Sequence, residues 1–287
     1  MTSFKRIAII TTKGGTDITD TLKSVIQLLQ ERDIEIVLNR FSADLLPESG
    51  LPTADNGRLA HGCDLVIAIG GDGTMLQAVR AVADFDIPLL GINRGRLGFL
   101  ADVPADRVEE NLDKVLNGDY VEEKRFQLHC ELVRADQTLL ESDAFNDVII
   151  QNIARLIELE TYVDRVLVHS QRADGMIVSS PTGSTAYALS GGGPILYPSL
   201  DALVLVPICP HTLSNRPIVI DGNSLVEIVV VTRNIDNALL SVDGDIAHNL
   251  MTGDRIIIRK NDRKIRLIHP PGHNHFSILR AKLNWGG

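Results

Sequence analysis

The first third of the chain alternates between short continuous apolar runs and longer stretches with apolar residues at helical spacing. Residues 6–12 (RIAIITT) form a mostly apolar run, which is typical of a strand buried on both faces. Residues 20–31 carry apolar side chains every three to four positions, which predicts an amphipathic helix. Similar strands are predicted at residues 35–38, 65–69 and 87–92, and a second helical stripe at residues 75–82. This strand–helix–strand order predicts a parallel sheet with helices on its faces.

After about residue 123 the pattern changes to alternation with a period of two. Residues 126–132 alternate apolar and polar side chains, as expected of a half-buried antiparallel strand. Further strand-like runs occur at residues 156–163, 165–170, 175–179, 203–206, 225–231 and 255–259. Many short strands predict a sandwich-like β domain. Residues 42–60, rich in Pro, Gly, Ser and Asp, predict an irregular loop, and residues 276–285 again have a helical pattern.

These patterns predict an α/β N-terminal domain with a parallel sheet and a β-rich, sandwich-like C-terminal domain. We place the first domain at residues 1–123 and the second at residues 124–267. Residues 268–287 are predicted to form a tail that packs back on the first domain.

Composition and charge narrow the functional classes. The chain of 287 residues is 44% hydrophobic and 23% charged with a net charge of −9, a globular and acidic balance. An acidic surface argues against a nucleic-acid backbone or an anionic membrane as partner, whereas backbone N–H groups can still hold phosphate. No run reaches the roughly 18 apolar residues of a membrane span, and the start lacks a secretory apolar region. We therefore expect a cytoplasmic protein with no nucleic-acid or membrane partner.

Cysteine and histidine spacing gives no metal site or disulfide framework. Cys63, Cys130 and Cys209 are odd in number and lack C-x-x-C spacing, so we expect small buried apolar side chains. His273 and His275 offer two imidazoles but no third ligand at an evident spacing, so a surface tail is expected.

A glycine-rich segment, residues 70–74 (GGDGT), lies between a predicted buried strand and a predicted helix. Glycines there allow close approach of a ligand, and a helix start offers N–H groups to phosphate. Asp72 would stand at the carboxyl end of a strand, where it could accept a proton from a hydroxyl or help to hold Mg²⁺. The alternative is a tight turn with Asp72 as the helix cap.

A second polar segment, residues 174–190, runs from a predicted strand into a loop dense in hydroxyls and small residues (DGMIVSSPTGSTAYALS). Hydroxyls and bare backbone can hydrogen-bond a base or ribose, and Tyr187 could flank a ring. The alternative is a Ser/Thr-rich turn with a capped helix. The length of this polar stretch between apolar strands favours a binding site.

The order of five segments resembles that of NAD kinases. They are GGDGT, NRGRLGFL (residues 93–100), Asn146–Asp147, DGMIVSSPTGSTAYALS, and PICPHTLSNRP (residues 207–217). GGDGT alone is shared with diacylglycerol-type lipid kinases and 6-phosphofructokinases, but TGSTAY with PHTLSNRP is far more specific. The resemblance spans nearly the whole chain. It implies transfer of the γ-phosphoryl group of ATP to the 2′-hydroxyl of the adenosine ribose of NAD, giving NADP and ADP. It also implies Mg²⁺ or another divalent ion.

The resemblance also implies roles for individual residues. Asp72 resembles the general base, with Gly73 beside the substrate, and Asn146 and Asp147 resemble the pair that holds ribose and adenine. Arg155 and Arg172 fall where relatives place basic or polar contacts. The rest of the dinucleotide pocket is implied at Asp174, Thr185, Ala186, Tyr187, Ala188, Leu189 and Ser190.

Two residues depart from the family pattern. Many members have Glu where this chain has Asp147, and many have Gln where it has Asp245, which leaves the role of Asp245 open. The chain has no Walker A sequence, so glycine backbone and Mg²⁺ are expected to hold ATP.

A homo-oligomer, dimer or tetramer, is expected on the same resemblance, because NAD kinases commonly complete each pocket from a neighbouring subunit. Asp174 and its flanking residues are the candidates for that contribution, and the apolar run at residues 225–231 is a candidate interface. Two rival functions remain. A lipid kinase would want an apolar or basic membrane-facing patch, and a non-catalytic NAD sensor would have no need of Asp72. The phosphoryl donor, ATP or polyphosphate, stays open.

Overall fold

The computed structural model describes residues 4–12, 16–95, 98–101, 103–152, 155–212, 214–232 and 237–285. The strands are β1 (Arg6–Thr11), β2 (Glu35–Asn39), β3 (Thr53–Ala54), β4 (Leu65–Gly70), β5 (Leu89–Asn93), β6 (Val103–Pro104), β7 (Val121–Arg134), β8 (Gln137–Ala144), β9 (Asp147–Asn152), β10 (Ile157–Val163), β11 (Val166–Ala173), β12 (Gly175–Ser179), β13 (Ala202–Ile208), β14 (Ile218–Asp221), β15 (Val226–Val230), β16 (Ala238–Val242), β17 (Asp245–Asn249) and β18 (Arg255–His269). The α-helices are α1 (Thr16–Gln30), α2 (Arg40–Leu45), α3 (Asn56–Leu59), α4 (Asp72–Val82), α5 (Val108–Leu116), α6 (Tyr187–Ser190) and α7 (His275–Leu283).

The chain divides into two compact units. The first comprises Met1–Lys124 and Ile265–Gly287, and the second comprises Arg125–Lys264. The last part of β18 and the whole of α7 therefore belong to the first unit.

The first unit is built on a parallel sheet in the order β5-β4-β1-β2-β3, with the end of β18 and β6 also pairing with β5. Strands β1 and β4 are buried on both faces, as expected where helices cover both sides of a parallel sheet. Ile7 and Ile9 of β1 share one core with Leu22 and Leu29 of α1. Parallel strands end at the same edge, so the polar residues that follow β4 and β5 lie side by side there. The predicted α/β class is confirmed.

Residues 42–60, predicted to be an irregular loop, contain most of α2, a 3₁₀ turn at Pro47–Ser49, β3 and α3. Helix α2 starts because the side chain of Asn39 accepts a hydrogen bond from the Ser42 N–H at 3.0 Å. The same Asn39 oxygen accepts the Ser42 hydroxyl at 2.6 Å, and both residues are fully buried. The loop prediction was wrong because it rested on composition, which does not show that the Asn39 side chain caps a helix.

The second unit contains two sheets that pack face to face. One is antiparallel, in the order β14-β13-β12-β9-β16-β17, and the other runs β11-β10-β15-β18, with β7 and β8 continuing from β18. Alternate side chains from both sheets form one core, which includes Leu128, Ile150, Leu159, Met176, Leu205 and Ile228. The predicted sandwich-like domain is confirmed. The central strands β9, β12, β13 and β16 are buried on both faces, because a second apolar cluster that includes Ile149, Ile177 and Ala188 covers the side that faces away from the main core.

The apolar run at residues 225–231 is not an exposed interface. Strand β15 lies between β10 and β18, and Val226, Ile228 and Val230 are fully buried. Exposed apolar side chains lie instead on β11 at the sheet edge, where Val166 and Leu167 are 67% and 51% exposed. The interface prediction for residues 225–231 was wrong, because an apolar strand in the middle of a sheet is core.

Helix α7 confirms the helical pattern predicted near the C-terminus. The Asn274 side chain caps it by accepting the N–H groups of Phe276 and Ser277 at 2.9 and 3.3 Å. Ile278 and Leu279 are buried in the first unit. In the described part of the chain, no helix has the combined length and apolar character needed to cross a membrane.

The three cysteines are free thiols in different surroundings. Cys63 and Cys130 are buried, as expected, and burial raises the pKa of Cys130 to about 12. Cys209 is exposed, contrary to the expectation of a buried side chain.

Candidate active site

The GGDGT segment forms the junction between β4 and α4. Gly71 occupies the N-cap position of α4 without a side-chain capping bond, and Asp72 is the first residue of the helix. The interpretation of Asp72 as a helix cap is therefore wrong. The carboxylate stands in the first turn, where the helix dipole favours negative charge.

The Asp72 carboxylate is held by the loop that follows β5. The N–H of Phe99 donates to Oδ2 at 3.0 Å, and the N–H of Leu100 donates to Oδ1 at 2.9 Å. Gly98 makes this contact sterically feasible, because a Cβ there would lie 2.2 Å from Oδ1 of Asp72. Asp72 remains partly exposed, so a fixed carboxylate faces solvent with free lone pairs and can accept a proton or a cation.

Three further polar residues, Asn93, Thr12 and Thr74, lie near the same edge of the sheet. Asn93 ends β5 in register with Gly70, and its Oδ1 is buried without a hydrogen-bond partner. The hydroxyls of Thr12 and Thr74 lie 3.0 Å apart. Sequence reasoning did not single out Asn93, although it opens the NRGRLGFL segment. Residues 96 and 97 of that segment lie outside the described residues, as does residue 213 of PICPHTLSNRP.

In the second unit, Asn146 and Asp147 lie at the start of β9 and are held by Asp243. The carboxylate of Asp243 accepts the N–H groups of Phe145, Asn146 and Asp147 at 2.8, 2.7 and 3.2 Å. Asp243 and Gly244 have φ angles of 50° and 83° and connect β16 to β17, as in a two-residue type I′ hairpin. Sequence reasoning missed Asp243, although Asp-Gly directly after the apolar run of β16 is a hairpin signal.

Asp147 is an unusual carboxyl group. Its residue is only 3% exposed, and burial, followed by repulsion from Asp243, raises its pKa to about 7. A carboxyl group that is half protonated near neutral pH can donate as well as accept a hydrogen bond. Such a group can donate a hydrogen bond to a ribose hydroxyl or accept one from it.

The hydroxyl-rich loop is built largely from internal hydrogen bonds. The Ser180 hydroxyl donates to the Phe145 carbonyl at 2.6 Å, and the Ser184 hydroxyl donates to the Pro181 carbonyl at 2.6 Å. Both residues are fully buried. A Cβ at Gly183 would lie 2.1 Å from the carbonyl oxygen of Asn146, so the loop packs directly on the Asn146 backbone. These serines shape the site rather than offering hydroxyls to a ligand.

Three predicted site residues from separate segments line one cavity of about 570 Å³ in the second unit. They are Arg155, Asp174 and Tyr187, with Gln151, Asn152, Leu156 and Ile208 completing the wall. A groove of similar size in the first unit, lined by residues of α1 and by residues 45–49, contains none of the predicted site residues.

Asp147 and Asp174, two predicted residues of the second unit, lie near opposite ends of β9. Asp147 begins the strand and pairs with Ser179, whereas Gln151 near its end pairs with Gly175, next to Asp174. Five residue steps separate the strand ends by roughly 16 Å.

The remaining predicted residues are placed as follows. Arg172 is exposed with its Nε 4.0 Å from Glu158, and Asp245 is exposed after the β16–β17 turn. Ala188 is buried in the core beneath the hydroxyl-rich loop. Thr185, Ala186 and Leu189 are partly buried, and Ser190 is exposed.

Comparison with known proteins gives matches along nearly the whole chain. Residues 7–120 match the ATP-NAD kinase N-terminal domain, and residues 145–270 match the ATP-NAD kinase C-terminal domain. The NAD kinase of Teredinibacter turnerae is 46% identical over 99% of this chain and 98% of its own length. The NAD kinase of Pseudomonas putida strain W619 is 47% identical over 100% of this chain and 97% of its own length.

Two solved structures share the fold. Yeast NADH kinase complexed with NADH superimposes with a TM-score of 0.90 at 24% identity, over 99% of this chain and 89% of that one. An NAD kinase from Archaeoglobus fulgidus in complex with ATP gives a TM-score of 0.75 at 26% identity, over 96% of this chain and 99% of that one.

Proposed function

We propose that this chain, which belongs to the ATP-NAD kinase family, uses Asp72 as the base in phosphorylation of the 2′-hydroxyl of the adenosine ribose of NAD. The family assignment makes it an ATP-dependent kinase that acts on NAD and produces NADP and ADP. The observation that carries the proposal for Asp72 is its partly exposed carboxylate, fixed by two backbone N–H groups at the start of α4.

In the proposed mechanism, Asp72 accepts the proton of the 2′-hydroxyl as that oxygen attacks the γ-phosphorus of ATP. The amides of Phe99 and Leu100 fix the direction of the carboxylate. The N-terminus of α4 offers N–H groups and a positive dipole end to the phosphates. Because a loose phosphoryl-transfer transition state needs little covalent help, positioning supplies most of the rate.

A divalent ion, Mg²⁺ or a similar one, is part of the proposal. Mg²⁺ prefers oxygen ligands and usually takes one or two carboxylates together with substrate phosphates and water. Each oxygen of Asp72 accepts one backbone N–H and keeps further lone-pair capacity, so the residue fits that set. When bound, the ion would neutralise charge on the phosphates.

For NAD itself, we propose that Asn146 and Asp147 bind the adenosine ribose. Support comes from the three amides that Asp243 holds in place and from the buried, partly protonated Asp147. Fixed polar groups that hydrogen-bond a ribose hydroxyl are left without a partner when the ligand lacks that hydroxyl. Such a site therefore discriminates strongly against that ligand. Asn146→Ala should therefore raise the KM for NAD much more than the KM for ATP. Equal effects on both constants would argue against the assignment.

We further propose that the working unit is a cytoplasmic homo-oligomer with shared sites. Asp147 and the cavity around Asp174 lie roughly 16 Å apart at the two ends of β9. Groups so far apart cannot both contact one adenosine ribose of the same chain, but a second copy could bring its Asp174 to that ribose. The exposed apolar residues Val166, Leu167 and Val168 on edge strand β11 supply a surface for pairing with that copy.

The activity is tested by incubating the protein with ATP, Mg²⁺ and NAD and assaying NADP with a dehydrogenase specific for it. Parallel reactions with polyphosphate as donor, or with diacylglycerol as acceptor, separate the donor range and the lipid-kinase alternative. Asp72→Asn should lower turnover by about 10²–10⁴-fold. Near-normal turnover in the folded variant would refute the base, and binding of NAD without turnover in the native protein would favour a sensor.

Shared sites are tested by mixing two inactive variants. Hybrids of Asp72→Asn and Asp174→Ala chains would contain some sites with both residues intact, so mixing should restore activity. Light scattering over a dilution series should show activity per chain falling as the assembly dissociates. A monomer with full turnover and no rescue on mixing would exclude the shared site.

A further inference from the structure

The first unit brings together three side chains with metal-binding atoms that no step of the proposed reaction uses. Glu123 lies on β7, His269 is the last residue of β18, and His273 follows in the turn before α7. One ligand atom from each lies within 4.8 Å of the other two. His269 is only 2% exposed, and the other two are partly buried.

A rigid turn places His273 against His269. In residues 270–273 (PPGH), the N–H of His273 donates to the carbonyl of Pro270 at 3.3 Å, and Gly272 has a φ of 86°. Proline at the second position and a left-handed glycine at the third are the requirements of a type II turn. The turn folds the chain back, so the two imidazole rings stack at 3.7 Å with an angle of 21°.

Glu123 completes the cluster from another strand. Its Oε2 lies 3.5 Å from Nε2 of His269. A tetrahedral ion with ligands about 2.0–2.1 Å away keeps its donor atoms roughly 3.4 Å apart, so this pair is already spaced for one ion. The neighbouring Glu122 is bound by Arg266 at 2.7 and 3.0 Å, which fixes this part of β7 next to β18.

We propose that Glu123, His269 and His273 form a binding site for a divalent transition-metal ion such as Zn²⁺. Two imidazoles with one carboxylate are a zinc ligand set, and His269-x₃-His273 matches the histidine spacing of zinc sites. Imidazole nitrogen disfavours Mg²⁺, so this site differs in chemistry from the one that serves ATP. His273 must turn its ring out of the stacked arrangement to aim its nitrogen at the ion, and its partial exposure leaves room for that rotation.

With three protein ligands, such an ion would keep its fourth position for water. It would link the start of β7, the end of β18 and the turn that precedes α7, all within the first unit. Lys282 of α7 lies over the ring of Phe99, at 5.1 Å from its centroid, and the Phe99 N–H holds Asp72. An ion that fixes the start of α7 would thus stabilise the helix that packs on the Asp72 loop.

The site is tested with Co²⁺, a spectroscopic substitute for Zn²⁺, added to the metal-stripped full-length protein without nucleotide. We expect one Co²⁺ per chain, with visible absorption that Zn²⁺ abolishes by displacement, and a rise in Tm when Zn²⁺ is added. His273→Ala and Glu123→Gln should each weaken binding by at least about tenfold, the smallest effect expected even for loss of an outer-shell partner. The exposed His61 is the matched control, and His61→Ala should bind like the native protein.

Glu123→Gln keeps the shape of the side chain, so it decides the outcome if His273→Ala does not fold. Circular dichroism establishes which variants are folded. Failure of the native protein to bind one Co²⁺ per chain would overturn the proposal. Undiminished binding in the folded Glu123→Gln or His273→Ala variant would overturn it as well, because the ion would then lie elsewhere.

Discussion

Gly98→Ala is the substitution that addresses the proposed base most directly without changing it. The added Cβ would lie 2.2 Å from Oδ1 of Asp72 and 3.2 Å from the Ala101 carbonyl oxygen. The substitution therefore acts by crowding the carboxylate.

The magnitude follows from that distance. An ordinary contact begins near 3.4 Å, so the carboxylate or the loop must move by about 1.2 Å. Hydrogen bonds of 2.9 and 3.0 Å from Leu100 and Phe99 would then lengthen to about 4 Å and be lost. Hydrogen bonds to a charged group contribute about 1.5–3 kcal/mol each, but Asp72 is partly exposed and water replaces some of this. We expect a stability loss of about 1–2 kcal/mol and, for a base misplaced by about 1 Å, a fall in kcat of about 10²-fold.

The assay is NADP formation at saturating ATP, with urea unfolding to measure stability. The KM for NAD should change by less than about threefold, because the proposed ribose-binding residues belong to the second unit. Gly57→Ala is the control, since a Cβ at that helical position meets nothing within 4 Å, and it should leave kcat unchanged. A folded Gly98→Ala enzyme with kcat within about twofold of the native value would refute the positioning argument.

Three further outcomes follow from other contacts. Because the folded pKa of Asp147 is raised to about 7, the folded state keeps a proton that the unfolded state releases above about pH 4, so stability falls as pH rises toward 7. Between pH 5 and pH 8 the native protein should lose about 2.6 kcal/mol more unfolding free energy than Asp147→Asn, and equal losses would contradict the shift. Asp243→Asn should raise the KM for NAD more than it lowers kcat, and a selective loss of kcat would argue against a positioning role. Asp254 is fully buried and binds Arg134 at 2.7 and 2.8 Å. Asp254→Ala should therefore lower the free energy of unfolding, measured in urea, by about 3 kcal/mol. As a control, replacement of the exposed Arg259, which pairs with Glu131, should lower it by less than about 1 kcal/mol.

The sequence by itself determined the class of each half of the chain. Continuous apolar runs such as β1 and β4 require cover on both faces, and period-two alternation in β7 requires cover on one, so local pattern sufficed. The order of the GGDGT and TGSTAY segments indicated the family, and both segments lie at turns that follow strands. These are properties of residues close together in the chain, which is why they could be predicted.

Only the tertiary structure decided what those residues contact. Asp72 is held by amides 27 and 28 positions away, and the amides around Asn146 are held by Asp243, almost a hundred positions later. Asp147 and the cavity around Asp174 are separated by the length of β9, and the sequence motifs did not predict this separation.

The tertiary structure also decided which apolar residues are buried. The apolar residues of β15 and β11 look alike in sequence, yet β15 lies in the middle of its sheet and β11 at the edge. His269 and His273 met Glu123 only because two strands and a proline–glycine turn converge. In each case, strand order and chain reversal determine which residues a side chain contacts, and the local sequence pattern does not. Hydrogen bonds, burial and pKa values depend on those contacts.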